Sequence, residues 1–566
     1  MTHPIGITKG PGETAHEFTF ITPDREQLAK TGEFVYYEAS VDGQVRRVLG
    51  RIAHRKPVRL FPDGFLADPE VRPEAVAGMI GYEPQEPELF EVTVTILGYY
   101  EPALRDFINP RLPPRAGHPI YIADDAMLVT VLNRRKEDET GSAHIGSLLS
   151  RPEGAVPVVL DASAITSTHL AIIASTGAGK SYLAGVLLEE LMSPKNRAAV
   201  LVVDPHAEYD TLEQIQQVEA FRTEDYAPEV RIIRPDDIKI RVSSLTLDDL
   251  RYLLSPLSEK MHYYLGRTFN IMERKYGRNW NRGQFKVMLR AGPKGKPVTD
   301  PEADEELDDK AVEQEKEEDS TVGALIWRFN AVFGGSFIFD DYDSLPLRNL
   351  FRPGQCTILQ LNEIDQRRQQ VLVATLLRRL LQARMDTERK RTSEEEENYL
   401  PYPAFVLIEE AHNFAPASAD VITSQILKTI LAEGRKFGVA VGLISQRPGR
   451  LDADVLSQCM TQFILRIVNP VDQARVAESV ESVGRDLLAE LPALSKGQAI
   501  VAGAAVNTPL ICRVRRRITE HGAEDLDAPQ RWREWFANGQ DSRHERDLSI
   551  LLPARNRRRD RLFKSQ

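Results

Sequence analysis

The sequence predicts an α/β protein with a RecA-like ATPase core, preceded by a small β-barrel and interrupted by a helical insertion. Three observations support this prediction. From about residue 165, short continuous apolar runs alternate with helical segments, as is typical of buried parallel strands joined by crossover helices. A glycine-rich turn at 174–181 lies between the first of these runs and a helix. The first 150 residues instead carry period-two patterns separated by Gly and Pro, which favour short antiparallel strands.

The barrel is predicted over residues 1–150. Its strand patterns cover residues 33–37, 45–52, 91–100, 119–122 and 127–132. Asp42-Gly43 lies between the first two segments and is a hairpin turn signal, because both residues tolerate positive φ. In 91–100, Val and Ile alternate with Thr, which is the pattern of a half-buried strand. These segments together indicate a closed or nearly closed sheet.

The ATPase core is predicted over residues 151–244 and 351–520, with the helical insertion at 245–350 and a helical, basic extension at 521–566. The parallel strands are expected at residues 170–173, 198–203, 357–361, 404–408, 439–444 and 462–467. Residues 391–400 are polar and predict a loop. The C-terminal residues 555–564 hold six basic side chains, which could contact DNA, contact a neighbouring subunit or form a disordered tail.

Net charge and composition restrict the class of protein only loosely. The net charge is −11, but residues 300–319 hold twelve acidic and two basic side chains, a net of −10. We expect an acidic, solvated loop there, near 300–320. The rest of the chain is close to neutral, so a nucleic-acid partner remains possible. No apolar run approaches the roughly 20 residues of a membrane-spanning helix. The three cysteines are widely separated and fit a reducing compartment, so we expect a cytoplasmic protein without a membrane partner.

The segment from Ala174 to Ser181 predicts a phosphate-binding P-loop, because it follows an apolar strand and opens a helix. Backbone N–H groups of such a loop surround phosphate oxygens at a helix N-terminus. We expect Lys180 to reach the β and γ phosphates of ATP and the Ser181 hydroxyl to bind Mg²⁺. Ala174 replaces the glycine that usually opens the motif. The residues expected to bind the nucleotide are Ser175, Thr176, Gly177, Ala178, Gly179, Lys180, Ser181 and Tyr182.

A second motif, an apolar strand that ends in Glu409 and Glu410, predicts a Walker B site. We expect Glu409 to support the Mg²⁺ and Glu410 to polarise the attacking water, although solvated carboxylates at a strand end would look similar. Asp204 and Glu208 follow another predicted strand. Asp204 is a candidate Mg²⁺ ligand, with a turn-capping role beside Pro205 as the alternative.

Two further residues complete the predicted catalytic set. Gln446 follows the strand at 439–444, where it could sense the γ-phosphate. Arg435 precedes that strand and is a candidate arginine finger that stabilises transition-state charge in the next subunit. Arg447 and Arg466 are weaker candidates, and a surface ion pair is the alternative for each arginine.

Taken together, these motifs resemble the HerA family of the FtsK–HerA superfamily of ring translocases. The resemblance rests on residues 174–181, 204–209, 408–413, 433–436, 445–448 and 466–469. It implies that residues 1–150 form a HAS-barrel and that the protein is a homohexameric ATPase enclosing double-stranded DNA. It also implies that Lys180, Glu410 and Arg435 carry ATP hydrolysis, and that partners dock on the barrel face of the ring.

Three functions are consistent with this resemblance. The first is a duplex-DNA translocase that works with a NurA-like nuclease in DNA end processing. The second is an ATPase ring of an antiphage defence complex that scaffolds a sirtuin-like or nuclease effector. The third, a conjugation or secretion ATPase, is disfavoured because no membrane segment is visible. The sequence does not separate the first two, and Arg367 and Arg368 are only weak candidates for contacts with DNA.

Overall fold

The computed structural model describes residues 3–11, 15–24, 26–58, 89–104, 106–291, 309–480, 483–522 and 527–537. The chain divides into two units, Met1–Glu520 and His521–Gln566. The first unit contains the barrel, the large sheet and the helical insertion. In the described part of the chain, no helix is long and apolar enough to cross a membrane.

The N-terminal strands form a closed barrel. They are β1 (Gly6–Pro11), β2 (Glu17–Thr22), β3 (Phe34–Val41), β4 (Gln44–Pro57), β5 (Phe90–Glu101), β6 (Asp106–Ile108) and β7 (Pro119–Ile122). Six of them are paired in the order β2-β1-β7-β3-β4-β5, the β2–β5 pairing closes the ring, and β6 adds to β5. The predicted hairpin is confirmed, with Asp42 at φ 51° and Gly43 at φ 77° in the turn between β3 and β4. The barrel has its own apolar core, which includes Phe18, Phe20 and Tyr37.

The predicted strand at 127–132 is wrong, because these residues belong to a helix, α1 (Asp125–Leu132). The Asp124 side chain accepts a hydrogen bond from the Met127 N–H and so caps the helix N-terminus. Leu128 and Leu132, four residues apart, are both buried. The spacing of buried residues is therefore that of a helix, which a short apolar run does not distinguish from a strand.

The remaining strands are β8 (Ser142–Leu148), β9 (Pro157–Asp161), β10 (Leu170–Ile173), β11 (Ala199–Asp204), β12 (Glu229–Ile233), β13 (Ile240–Arg241), β14 (Phe339–Asp340), β15 (Gln355–Gln360), β16 (Ala404–Ile408), β17 (Val439–Ser445), β18 (Thr461–Leu465), β19 (Gln498–Gly503) and β20 (Leu510–Val514). Eleven form one sheet, in the order β12-β15-β11-β16-β17-β10-β18-β19-β20-β8-β9. In this spatial order the first seven strands are parallel to one another, and each of the last four is antiparallel to the strand before it. All six predicted parallel strands are confirmed. Strand β8 belongs to this sheet although it precedes residue 150, the boundary expected for the barrel.

The other helices are α2 (Ala162–Thr168), α3 (Lys180–Leu191), α4 (Leu247–Leu254), α5 (Glu259–Tyr276), α6 (Arg282–Ala291), α7 (Asp309–Phe333), α8 (Leu347–Leu350), α9 (Gln366–Glu388), α10 (Ile422–Glu433), α11 (Ala453–Ser457), α12 (Pro470–Ser479), α13 (Arg485–Ala489) and α14 (Ala528–Ala537). Helices α4 to α7 form the predicted insertion. Inside it Phe285 and Phe329 stack with ring centroids 5.2 Å apart.

The expected loop at the acidic run 300–319 is wrong for its second half. From Asp309 onward it forms the first turns of α7, so the expected loop is helical there. Glu and Lys are good helix formers, and the same helix continues into an apolar end that is buried at Leu325 and Phe329. Residues 300–308 lie outside the described residues, as does the basic segment 555–564. The second unit is described only as helix α14 with a few flanking residues.

Candidate nucleotide site

Four parallel strands deliver the predicted motifs to one edge of the sheet. The P-loop follows β10, the Asp204 turn follows β11, Glu409 follows β16 and Gln446 follows β17. Since the carboxyl ends of parallel strands share an edge, residues distant in sequence come together. Thr176 and Gln446, 270 positions apart, are joined by a hydrogen bond of 2.9 Å.

The P-loop has the backbone conformation that its glycines permit. Gly177 and Gly179 have φ values of 76° and 101°, in the region that favours glycine. The loop is attached to its neighbouring strands, because the Ser175 N–H donates to the Arg466 carbonyl at 3.0 Å. Helix α3 begins at Lys180, so its positive N-terminal end faces the loop.

Lys180 lies among three carboxylates. Its Nζ forms a short ion pair with Glu409 and lies 3.7 Å from Glu410 and 3.9 Å from Glu208. Burial raises the pKa of Glu409 to about 7, although Lys180 opposes this shift. Burial would lower the pKa of Lys180, but the carboxylates, Glu409 foremost, outweigh it and raise that pKa. Lys180 is therefore a cation near neutral pH. A phosphate oxygen would compete with the Glu409 carboxylate for it.

Glu410, two residues after β16, lies between Gln446 and His412. Its backbone lies in the left-handed region at φ 50° and ψ 46°, although it is not glycine. One carboxylate oxygen accepts a hydrogen bond from the Gln446 amide. The other, Oε2, is 3.2 Å from His412 Nδ1 but is buried without a hydrogen-bond partner among the described residues. Burial, followed by nearby cations, lowers the pKa of His412 to about 4, so this imidazole is neutral and Oε2 keeps a lone pair for a proton.

The oxygens near the P-loop suit Mg²⁺. The Ser181 hydroxyl donates a hydrogen bond to Glu208, and the Glu409 carboxylate is fully buried beside Lys180. Hydroxyl and carboxylate oxygens are the hard ligands that Mg²⁺ prefers, and this ion usually completes its shell with phosphates and water. Ser181, Glu208 and Glu409 are therefore the residues that fit the ion.

Asp204 is occupied by its own turn. Its two carboxylate oxygens accept hydrogen bonds from the backbone N–H groups of His206, Glu208 and Tyr209, each at 3.2 Å. This is the capping role that the sequence left open as the alternative to Mg²⁺ binding. The Tyr209 hydroxyl in turn donates to Glu409 Oε2 at 3.0 Å.

Arg435 is not at the phosphate edge of its own chain. It is exposed and precedes β17, whereas Gln446 follows that strand. The seven residues of β17 separate the two by about 20 Å at a rise of about 3.3 Å per residue. Arg435 instead lines a cavity of about 330 Å³ that also contains Arg134 and Asp161. Arg447 and Arg466, by contrast, lie at the phosphate edge.

Two features of the site were not predicted. Lys496, which is exposed, has its Cγ 3.9 Å from where a Cβ on Gly179 would lie, so it adds a cation beside the P-loop. The segment 515–519 crosses helix α3. The Arg517 N–H of this segment donates to the Tyr182 hydroxyl at 2.8 Å. The fully buried Glu189 accepts hydrogen bonds from the backbone N–H groups of Ile518 and Thr519 and from the Arg515 side chain. The only sequence signal for this contact was a glutamate inside an apolar helical run.

Comparison with known proteins gives a consistent result. Residues 143–380 match the family described as the central domain of helicase HerA. A DNA double-strand break repair helicase HerA of Pyrococcus furiosus is 28% identical over 94% of this chain and 97% of its own length. A probable helicase of Methanocaldococcus jannaschii is 31% identical over 76% of each chain. Among solved structures, VirB4 of Thermoanaerobacter pseudethanolicus has a TM-score of 0.43 at 13% identity, covering 67% of this chain and 97% of VirB4.

The P-loop, the paired carboxylates at the end of β16 and the similarity along nearly the whole chain all lead to the same family. The protein belongs to the HerA helicase family and is an ATPase of the helicase type.

Proposed function

We propose that this protein is a DNA translocase that works as a homohexameric ring around duplex DNA and processes DNA ends with a nuclease partner of the NurA type. One observation carries the proposal. Among the described residues, Glu410 Oε2 is buried without a hydrogen-bond partner, and the other oxygen of this carboxylate lies 3.7 Å from Lys180 Nζ. This is an arrangement for activating water against a phosphate, in a chain related over nearly its whole length to a DNA double-strand break repair helicase.

In the proposed reaction, water attacks the γ-phosphorus of ATP and the bond to the bridging oxygen of ADP breaks. Glu410 Oε2 accepts the proton of the attacking water, and Gln446 holds Glu410 through its amide. Lys180 neutralises charge on the phosphate oxygens. Ser181, Glu208 and Glu409 would hold Mg²⁺, which would supply further charge neutralisation to the phosphates when bound.

The position of Arg435 supports the proposed ring. An arginine finger at that position would have to act on the nucleotide of another subunit, because it lies about 20 Å from the phosphate edge of its own chain. Nucleotide bound between subunits would then couple hydrolysis to movement at the interface. The competing cation is Arg447, which follows Gln446 directly and would need no neighbour.

The nuclease partner is proposed to dock on the barrel. Exposed large apolar side chains are present there at Ile7, Val45, Leu104 and Leu112. Exposed apolar side chains on a folded domain are consistent with a contact surface. The separate hydrophobic core of the barrel supports its role as a distinct docking domain.

The proposal is tested by measuring ATP hydrolysis by the full-length protein with and without linear duplex DNA. We expect DNA to stimulate turnover in the absence of any partner, and stimulation to weaken with salt, because contacts to phosphates release counterions. Turnover indifferent to DNA but dependent on an added effector protein would contradict translocation and indicate a scaffold ring.

Two variants control this measurement. Lys180→Ala should abolish turnover with and without DNA, because the phosphates lose their buried cation. Lys428→Ala removes a lysine, 41% exposed, from an ion pair with Asp452 and should leave turnover unchanged, since a partly exposed pair contributes little. Hydrolysis by Lys180→Ala at the wild-type rate would refute the P-loop assignment.

A further inference from the structure

Apart from the nucleotide site, the structure contains a cationic cleft between the helical insertion and α9. It encloses about 370 Å³ and is lined by four arginines, Arg241, Arg278, Arg378 and Arg379, together with hydroxyl side chains. Arg241 ends strand β13, just before the insertion, Arg278 lies in the insertion between α5 and α6, and the other two arginines lie on α9. Guanidinium groups gathered around one cleft repel one another unless carboxylates or bound anions neutralise their charge.

Of the two cleft arginines on α9, Arg378 is paired closely with a carboxylate and Arg379 is not. Arg378 forms a short ion pair with Asp249, whose side chain is completely buried. Arg379 has a side chain only 16% exposed, yet its nearest carboxylate oxygen, on Glu397, lies at 3.8 Å. Its other nitrogen donates to the Ser344 hydroxyl at 2.9 Å, which supplies no charge. Burial lowers the pKa of Arg379, and the nearby Arg241 opposes the weak attraction of Glu397.

Arg241 and Arg278 add unneutralised charge. Arg241 Nε donates to the Tyr342 carbonyl at 3.0 Å. No carboxylate of the described residues forms an ion pair with Arg241 or with the exposed Arg278. The cleft therefore holds four guanidinium groups against the two carboxylates of Asp249 and Glu397, an excess of two positive charges. An anion in the cleft would offset this repulsion.

The cleft is separate from the P-loop. Helix α9 begins six residues after β15 ends at the phosphate edge, and it runs back toward the opposite edge. Arg378 lies twelve positions after the helix start at Gln366, which corresponds to about 18 Å at a rise of about 1.5 Å per residue. The cleft is also lined by Asn398, which is close in sequence to the start of β16 at the opposite edge.

We propose that this cleft binds a phosphate ester, at a site independent of the P-loop. Guanidinium groups present paired N–H donors that match phosphate oxygens, and the Ser344 hydroxyl, which accepts a hydrogen bond from Arg379, keeps its own proton to donate. A cleft of this volume accommodates more than a single water-sized group. Glu397, whose side chain is 60% exposed, can turn outward when the anion enters. The phosphate comes from the DNA backbone or from a phosphorylated small molecule, two sources with the same chemistry.

The test uses inorganic pyrophosphate as the probe and the full-length protein with its P-loop saturated by a non-hydrolysable ATP analogue. Calorimetric titration should detect one additional pyrophosphate site in the wild type. Arg379→Gln and Arg278→Gln should each weaken it about tenfold or more, because each removes a charge-assisted hydrogen bond. Arg352→Gln is the matched control, since Arg352 is 64% exposed in a surface pair with Glu229 outside the cleft, and it should bind as the wild type.

Arg278→Gln decides the result if the half-buried Arg379 proves necessary for folding, because Arg278 is exposed. Absence of the additional site in the wild type, or unchanged affinity in Arg278→Gln, overturns the proposal. Competition then identifies the source of the phosphate. Displacement of pyrophosphate by short duplex DNA assigns the site to the DNA backbone, and retention of pyrophosphate assigns it to a phosphorylated small molecule. Neither arm depends on ATP hydrolysis, so failure here would leave the proposed translocase intact.

Discussion

Replacing Glu410 by alanine and by glycine separates its chemical role from the conformation of its backbone. Both variants remove the carboxylate that we propose as the general base, so both should lose ATP hydrolysis by about 10²- to 10⁴-fold. They differ only in a Cβ atom. At φ 50° and ψ 46° this atom is unfavourable, so the glycine variant should be the more stable of the two.

The magnitude follows from two opposing contributions. A non-glycine residue in the left-handed region costs about 1–2 kcal/mol relative to glycine. Glycine makes the unfolded chain more flexible, which destabilises the folded state by about 0.4–1 kcal/mol relative to alanine. Glu410→Gly should therefore exceed Glu410→Ala by about 0.5–1 kcal/mol in the free energy of unfolding. The usual order is the reverse, so the sign alone is informative.

Denaturant unfolding of the two variants measures this difference, with ATP hydrolysis measured on the same preparations. Ala432→Gly is the control, because Ala432 is exposed near the end of α10 and glycine there should cost up to about 1 kcal/mol. Glu410→Gln retains the shape without the charge and should be inactive as well. A rate near wild type in Glu410→Gln, or an alanine variant more stable than the glycine variant, would refute the reasoning.

Two other predictions concern the subunit interface and pH. Arg435→Ala subunits mixed in equal amounts with Glu410→Gln subunits should regain part of the lost ATP hydrolysis, because about one quarter of the interfaces then combine two intact half-sites; no recovery at any mixing ratio would exclude action of Arg435 across an interface. His169 is buried, and burial lowers its pKa from 6.5 to about 4. The neutral His169 stabilises the folded state above pH 6.5, and this contribution is lost as the pH falls toward 4, because the unfolded state takes up the proton first. Between pH 7 and 5 the free energy of unfolding should fall by about 2 kcal/mol more in the wild type than in His169→Asn. Parallel pH profiles of the two proteins in denaturant unfolding would contradict this.

Local pattern was sufficient for six of the seven parallel strands, whereas β12 was missed because polar side chains interrupt its apolar residues. Buried parallel strands are continuous apolar runs, and each of the six predicted runs is bounded by polar or glycine-containing turns. The antiparallel strands β19 and β20 were missed because their apolar stretches are short and carry no motif. Strand β8 was placed with the barrel for a related reason. Its partner β20 lies more than 360 residues later, so the pairing has no local signal.

Side-chain partners were less predictable than side-chain roles. The sequence indicated that Lys180 and Glu409 belong to one site, but their direct ion pair depends on the relative height of β10 and β16 in the sheet. It left two roles open for Asp204, and the structure shows the turn-capping contacts, in which three backbone N–H groups donate to this carboxylate. The contact of Glu189 with residues 515–519 could not be predicted, since a buried glutamate is recognised only once its cationic partner is known.

Strand polarity bears on the proposed ring. Arg435 and Gln446 flank the same strand, β17, so in a parallel sheet they must lie at opposite edges whatever the details of packing. If both act on the same phosphate, they cannot come from the same chain. A cation supplied across an interface makes hydrolysis depend on assembly, whereas Arg447, at the phosphate edge, would make each subunit self-sufficient. Arg435 therefore implies hydrolysis across a subunit interface, and Arg447 implies hydrolysis within one subunit. The mixing experiment distinguishes the two, because only an arginine that acts across an interface can restore the active site of a neighbouring subunit.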